Sequence, residues 1–326
     1  MADELRSAGN KVSITGVLLE HKLKEQKGEK GKYINGSIVI KAGKFTEIDV
    51  KVFVDEKTKE GKEKKNFTLL KQILNDELPS LAKDKENATI LSIYVNKDFQ
   101  PKLKEERYAD KTNTNVNTKL SVDLGFGSIK VANDTEEEDF KATFDIELFV
   151  TSVDDEVDKE EESTGRVKIK GYVPTYGGGI FPIELIAGVI VDDEGEYDFG
   201  EDVRSEIEEG STINVWGNIN FAKIIEKKSK GGKLGRAKVE DTSTYIHELI
   251  AIGADIIEDD KNIYEEDDIE KAVKERKIQL DEVLTKAKQK EGEGGKSKGK
   301  GVGNKTSKTT KDDDTEDKPK KRNINF

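Results

Sequence analysis

Cysteine is absent from the 326-residue chain, which excludes disulfides, thiol nucleophiles and every Cys-containing zinc site. Histidine occurs only as His21 and His247, too few for a three-His metal centre. Aromatic residues make up 6%, with a single Trp, so each aromatic position is more informative than usual. No uncharged apolar run approaches the ~18 residues of a membrane span, and Met1–Gly9 lacks the apolar core of a secretion signal. These absences predict a cytoplasmic protein with no membrane partner. The hydrophobic share, 33% against 38% charged, is low for one large core and favours several small domains. A net charge of −12 opposes a surface that grips duplex nucleic acid everywhere, while leaving room for a local basic groove.

What is present is a series of short segments with period-two alternation, the mark of half-buried strands. They cover 11–19, 33–40, 48–54, 89–95, 120–131 and 144–153, then 166–172, 181–191, 212–221 and 244–252. Between the third and fourth, Phe67–Leu81 carries Leu69, Leu70, Ile73, Leu74 and Leu78 at helical spacing. The charge run Asp154–Ser163 predicts a boundary between the two series. Residues 265–290 form a further helical stripe, and Gly292–Lys311 is Gly/Lys/Ser/Thr-rich, a composition that predicts disorder.

The two series read as one unit used twice. Lys11–Gly16 lies over Arg166–Gly171, Leu91–Phe99 over Ile213–Phe221, and Thr143-Phe144 over Thr244-Tyr245. About five strands with a helix between the third and fourth is the element order of an OB-fold. The expected architecture is therefore mainly β. It has tandem OB-like five-stranded barrels at 10–155 and 164–258, an inserted helix, a C-terminal helix at 264–290 and a disordered tail at 291–326.

Strand parity assigns faces. Arg166, Lys168, Lys170 and Tyr172 point opposite to the core residues Val167 and Ile169, giving three cations and an aromatic on one solvent row. On 212–221 the outward parity reads Thr212, Asn214, Trp216, Asn218 and Asn220. On 91–99 it reads Ser92, Tyr94, Asn96 and Asp98. An aromatic flanked by amides suits single-stranded nucleic acid, where rings stack on bases, amides reach base edges and cations hold phosphates. The competing expectation is that Trp216 and Tyr94 pack under a loop or another domain. The glycine-rich stretch Pro174–Phe181 either brings Tyr176 and Phe181 to a ligand as further platforms or is a plain hairpin tip. His21–Lys32 holds five Lys against two Glu, and Lys223, Lys227, Lys228, Lys230, Lys233, Arg236 and Lys238 form a second basic loop. Both are candidate borders of an OB groove, although solvated charge is the commoner outcome for the first.

Signs of catalysis are weak. Gly299–Thr306 (GKGVGNKT) resembles a phosphate-binding loop, but Asn304 replaces the second glycine and no strand precedes it. Acidic pairs such as Asp192-Asp193 and Asp259-Asp260 read as solvated loop residues, and His247 as a partly buried structural histidine. No catalytic residue, metal or cofactor is expected.

OB-like units, a Gly-rich linker, Asp312-Asp313-Asp314-Thr315-Glu316-Asp317 and a terminal Ile324-Asn325-Phe326 together resemble the single-stranded-DNA-binding proteins of bacterial and phage replication. That resemblance implies a non-enzymatic DNA binder in phage replication, recombination or repair. It also implies a tail whose Asp312, Asp313, Asp314, Ile324 and Phe326 dock into replication proteins. Lys318-Pro319-Lys320-Lys321-Arg322 departs from it by interrupting the acidic run. From Glu291 to Phe326 ten basic residues oppose seven acidic ones, so this segment is +3 and residues 1–290 carry −15. A β-built assembly protein without a nucleic-acid role is the alternative.

Overall fold

The computed structural model describes residues 5–29, 31–96, 100–125, 127–192, 195–230 and 238–294. The segments from 295 to 326 lie outside it, and with them Asp312, Asp313, Asp314, Ile324, Phe326 and the GKGVGNKT run; so do Asp98, Asp193, Lys233 and Arg236. The chain is mainly β. The first nine strands are β1 (Asn10–His21), β2 (Lys24–Gly28), β3 (Gly31–Lys41), β4 (Glu47–Asp55), β5 (Ile90–Tyr94), β6 (Lys102–Ala109), β7 (Val116–Asp123), β8 (Ser128–Val131) and β9 (Lys141–Val157). Six more follow, β10 (Ser163–Pro174), β11 (Ile180–Ala187), β12 (Val189–Asp192), β13 (Gly195–Asp198), β14 (Thr212–Lys230) and β15 (Lys238–Ile256). Three helices, α1 (Lys65–Leu74), α2 (Phe199–Glu206) and α3 (Glu266–Gly294), complete the order.

Strand pairings draw two closed circuits. In the first, β1 pairs with β3, β3 with β4, β4 in parallel with β7, β8 with β5, and β5 with β1. Here β7 and β8 together take the place of one strand, β7 joining β4 and β8 joining β5. The single strand expected over 120–131 is therefore broken by the need to serve two partners. In the second circuit, β9 pairs with β10, β10 with β11, β11 in parallel with β15, β15 with β14, and β14 with β9. Both circuits follow the OB order 1-2-3-5-4-1, with α1 and α2 each between strands three and four.

The second barrel opens on β9, not on the strand at 166–172. The charge run expected to divide the domains is the turn of the β9–β10 hairpin, where Asp158 N–H donates to Glu162 C=O. Two of the three apparent repeat matches are thus displaced by one strand. Only the match that lays Leu91–Tyr94 over Ile213–Trp216 joins equivalent strands, each the fourth of its barrel. In its first half, β9 also pairs with β1 (Asn10↔Ile146 to Thr15↔Lys141), so one strand carries the sheet from barrel to barrel. A single hydrophobic cluster runs through both interiors, from Ile14, Ile38 and Leu91 to Val150, Ile169 and Leu249.

Helix α1 ends at Leu74, seven residues before the expected stop. Asp76 adopts a left-handed φ of 61° and Pro79 follows, both of which break a helix. Leu78 still packs against the core from the turn beyond. The second basic loop is largely the two arms of a long hairpin, with β14 and β15 in register as far as Lys230↔Lys238. Likewise His21–Lys32 contains β2, paired with β3. No helix among the described residues is long and apolar enough to cross a membrane.

Candidate nucleic-acid interface

On the outer face of the first barrel, cross-strand register places side chains in rows. Lys24, Asn35 and Phe53 form one row, and Gln26, Tyr33 and Asp55 the next. Inward partners Ile34, Val52 and Val54 are buried, which fixes the other parity outward. Phe53 is 59% exposed, and its ring centroid lies 5.1 Å from that of Tyr33 at a 32° tilt. The Tyr33 hydroxyl donates to Gln26 Oε1, which orients the ring. Lys24 has no carboxylate partner among the described residues. An aromatic pair with amides and a lysine therefore sits on the second and third strands of an OB circuit, the face by which that fold takes oligonucleotides.

The same face continues across β4 to β7 and β6, where Lys51, Asp123 and Lys102 are in register and Lys104 follows. Lys51 binds Asp49 (2.9 Å) and Glu106 (3.8 Å), and Lys104 binds Asp123 (3.3 Å). For Asp49, burial alone would raise the carboxyl pKa, but the Lys51 ammonium hydrogen-bonded to it helps to bring the pKa below the ordinary range. Tyr108, 49% exposed, stands outward two residues beyond Glu106 near the hairpin tip. Lys102 and Lys104 line a cleft of about 680 Å³ between the β6–β7 hairpin and the β10–β11 turn. Tyr176 overhangs this cleft, 95% exposed on a turn that Gly177 and Gly178 close with φ of 82° and 75°.

The residues singled out from the second barrel are dispersed. Arg166, Lys168 and Lys170 do share an outer row on β10, but each is held by carboxylates. Arg166 binds Glu156 and Glu248, Lys168 lies 3.7 Å from Glu156 and Glu184, and Lys170 binds Asp154 at 2.9 Å. Three cations face four carboxylates, so the row is −1 rather than basic. Burial would push the Glu156 carboxyl pKa up, yet hydrogen bonds from Arg166 and Thr164 bring it below the ordinary range. For Asp154, the Lys170 ammonium is the main cause of a similar depression.

Tyr172 is not an open platform. It packs against Phe149, Tyr264 and Ile269, where the start of α3 and the N-terminal segment cover this end of the barrel. Arg6 lies 4.6 Å from the centre of the Tyr264 ring and binds Glu147 at 2.9 Å. Phe181, expected to stack, is 3% exposed and faces the core, because it shares parity with Ile183 and Leu185. Trp216 is 36% exposed on β14, four residues and about 13 Å along the strand from Asn220, the amide that reaches the cation row through Glu248. Asn214 is half-buried and Asn218 exposed beside it. Tyr94 is half-buried on β5 with the Lys130 ammonium 5.2 Å from its ring, and Asn96 donates to Ser128 Oγ at 3.1 Å. Among the described residues no group of three or more His, Asp or Glu could hold a metal. His247, expected to be partly buried, is exposed on β15 beside Phe221, and partial desolvation there lowers its pKa.

Tyr33, Phe53 and Tyr108 escaped the sequence reading although the signal for one was present. Glu47–Asp55 alternates Ile48, Val50, Val52 and Val54 with polar residues, and Phe53 occupies the polar parity. Tyr108 lies on β6, whose near-uniform charge hides its strand character.

The YorF family matches residues 8–286. The chain belongs to the YorF family. That match spans both barrels and most of α3, so the paired circuits fall within the family's own extent. No curated relative matches the sequence. Among solved structures, the wild-type single-stranded DNA binding protein from Thermus aquaticus is similar at 11% identity and a TM-score of 0.43, over 77% of this chain and 94% of that one. A deletion mutant of the same Thermus aquaticus protein is similar at 9% identity and 0.42, over 78% and 97%. The assignment of the OB order rests on the strand pairings.

Proposed function

We propose that this protein binds single-stranded DNA without sequence preference, along the outer face of the first barrel and into the cleft beneath Tyr176. The observation that carries the proposal is the Tyr33–Phe53 pair, exposed on strands two and three of an OB circuit beside Lys24, Gln26 and Asn35. Rings there offer stacking that every base can use, and the amides add edge contacts. Lys24 and Lys102, both exposed and without a carboxylate partner among the described residues, supply phosphate contacts at the two ends of the path. The acidity of the rest of the body then keeps duplex from coating the surface. In this reading the protein works as a binder, not a catalyst, in cytoplasmic DNA replication or recombination of a phage or its host.

Fluorescence anisotropy of labelled oligo-dT tests it. Binding should weaken as salt rises from about 50 to about 200 mM, since each phosphate contact releases counterions. Absence of binding at the lower salt, or affinity indifferent to salt, would falsify the proposal. A second reading, a protein-contacting role for the Trp216 side of the molecule, is favoured by one feature there, an acid-rimmed apolar pocket.

A further inference from the structure

Trp216 stands on the outer face of β14 with its ring laid against the backbone of Gly253 on β15; a Cβ at residue 253 would come within 2.4 Å of the indole. The ring forms one wall of a pocket of about 390 Å³. Tyr197, Ile252 and Ile256 add apolar walls, all substantially exposed. Such a volume lies in the range that takes ligand-sized groups.

The polar lining is of one sign. Asp202 and Glu206 project from α2 one helical turn apart, on the same face. No cation among the described residues lines the pocket. Asp255 is the cross-strand neighbour of Asn214 and adds a carboxylate to the approach, while Asp145, the neighbour of Trp216, is paired with Lys11 at 3.4 Å. Phosphate is repelled here, and the chemistry that fits is an apolar side chain carried next to positive charge.

A segment of the chain in which four cations stand within eight residues of two apolar side chains fits that description. Lys318-Pro319-Lys320-Lys321-Arg322 is followed by Ile324 and Phe326. The twenty-three residues from 295 to 317 reach up to about 75 Å when extended. A body of this size is on the order of 50 Å across, so the pocket is within range of the tether. Tethering also raises the effective concentration to about millimolar, which lets a modest contact be occupied.

We propose that the Trp216 pocket receives the chain's own segment Lys318–Phe326, with Ile324 and Phe326 against Trp216 and the basic cluster against Asp202 and Glu206. The sole Trp makes this directly measurable in the full chain by acrylamide quenching. The double variant Ile324→Ser/Phe326→Ser and the charge reversal Lys320→Glu/Lys321→Glu/Arg322→Glu should each raise the quenching constant about twofold. High salt should move the unaltered chain toward the charge-reversed one. A urea midpoint matching that of the unaltered chain shows that each variant keeps its fold, and Asp202→Lys/Glu206→Lys supplies the reciprocal change. Equal quenching in all chains overturns the proposal. So does protection that grows with protein concentration, which would assign the occupant to a second copy. Quenching of Trp216 by oligo-dT that the tail variants leave unchanged also overturns it, in favour of base stacking. The anisotropy measurement on the first barrel is independent of all these outcomes.

Discussion

Phe53 and Phe181 are the same side chain in opposite settings, and single substitutions should separate them. Phe53→Ala removes an exposed ring on β4, so it should weaken oligo-dT binding by about 5- to 150-fold, the value of one lost stack. Its denaturation midpoint should stay close to that of the unaltered chain. Phe181→Ala should instead destabilise the second barrel by about 3–5 kcal/mol through loss of a buried ring. Titration and urea unfolding of the two variants check both; equal binding losses would remove Phe53 from the interface. Arg166 offers a pH test. The carboxyl of Glu156 has a depressed folded-state pKa, so the pair stabilises above the unfolded value near 4.5 and loses that contribution as pH falls through the folded pKa. The stability gap between the parent and Arg166→Ala should therefore be largest near neutrality and shrink below about pH 4. A gap constant with pH would show that packing, not charge, dominates there.

At the scale of elements, α3 is tied to the sheet over only part of its length. Its first turns insert Ile269 and Ala272 against Phe149 and its neighbours, and Arg276 and Gln279 hold Glu105 and Arg107 on β6. Beyond these contacts Ile278 is exposed and the helix carries mostly charge. Ile269→Ala should raise amide exchange along α3 while leaving β9 and β14 protected, because a local contact sets a local opening free energy. Matching acceleration in the barrels would mean that α3 is integral to them. Periodicity revealed α1 and α3, since each buries one stripe, whereas α2 is only eight residues long and too short for a repeating stripe. It also revealed nearly every strand with a buried face. β6 remained hidden because Leu103 is its one fully buried hydrophobic residue, and β2 because KEQKG buries none.

For the whole molecule, β9 has the widest consequence. It pairs with β1 through residues 141–146 and with β10 through 149–157, while β14 flanks it on the other edge. Two separate domains would unfold in two steps. A shared strand and a continuous core predict one cooperative transition, observable as coincident midpoints for Trp216 fluorescence in the second barrel and exchange of β3 amides in the first. Resolved midpoints would indicate that the barrels are energetically independent.

The sequence by itself determined the β class, the OB element order of the first barrel with its helix between strands three and four, and the outward parity of Trp216, Tyr94 and the Arg166 row. Alternation and helical spacing are local, so they need no partner to be read. Tertiary structure alone decided which strand begins the second barrel, because pairing is a choice among segments that alternate equally well. It also decided that Arg166, Lys168 and Lys170 meet Asp154, Glu156, Glu184 and Glu248, that Tyr172 lies beneath α3, and that Phe53 finds Tyr33 across the sheet. Charge balance and stacking depend on neighbours distant in the chain, and only the closed circuits bring them together.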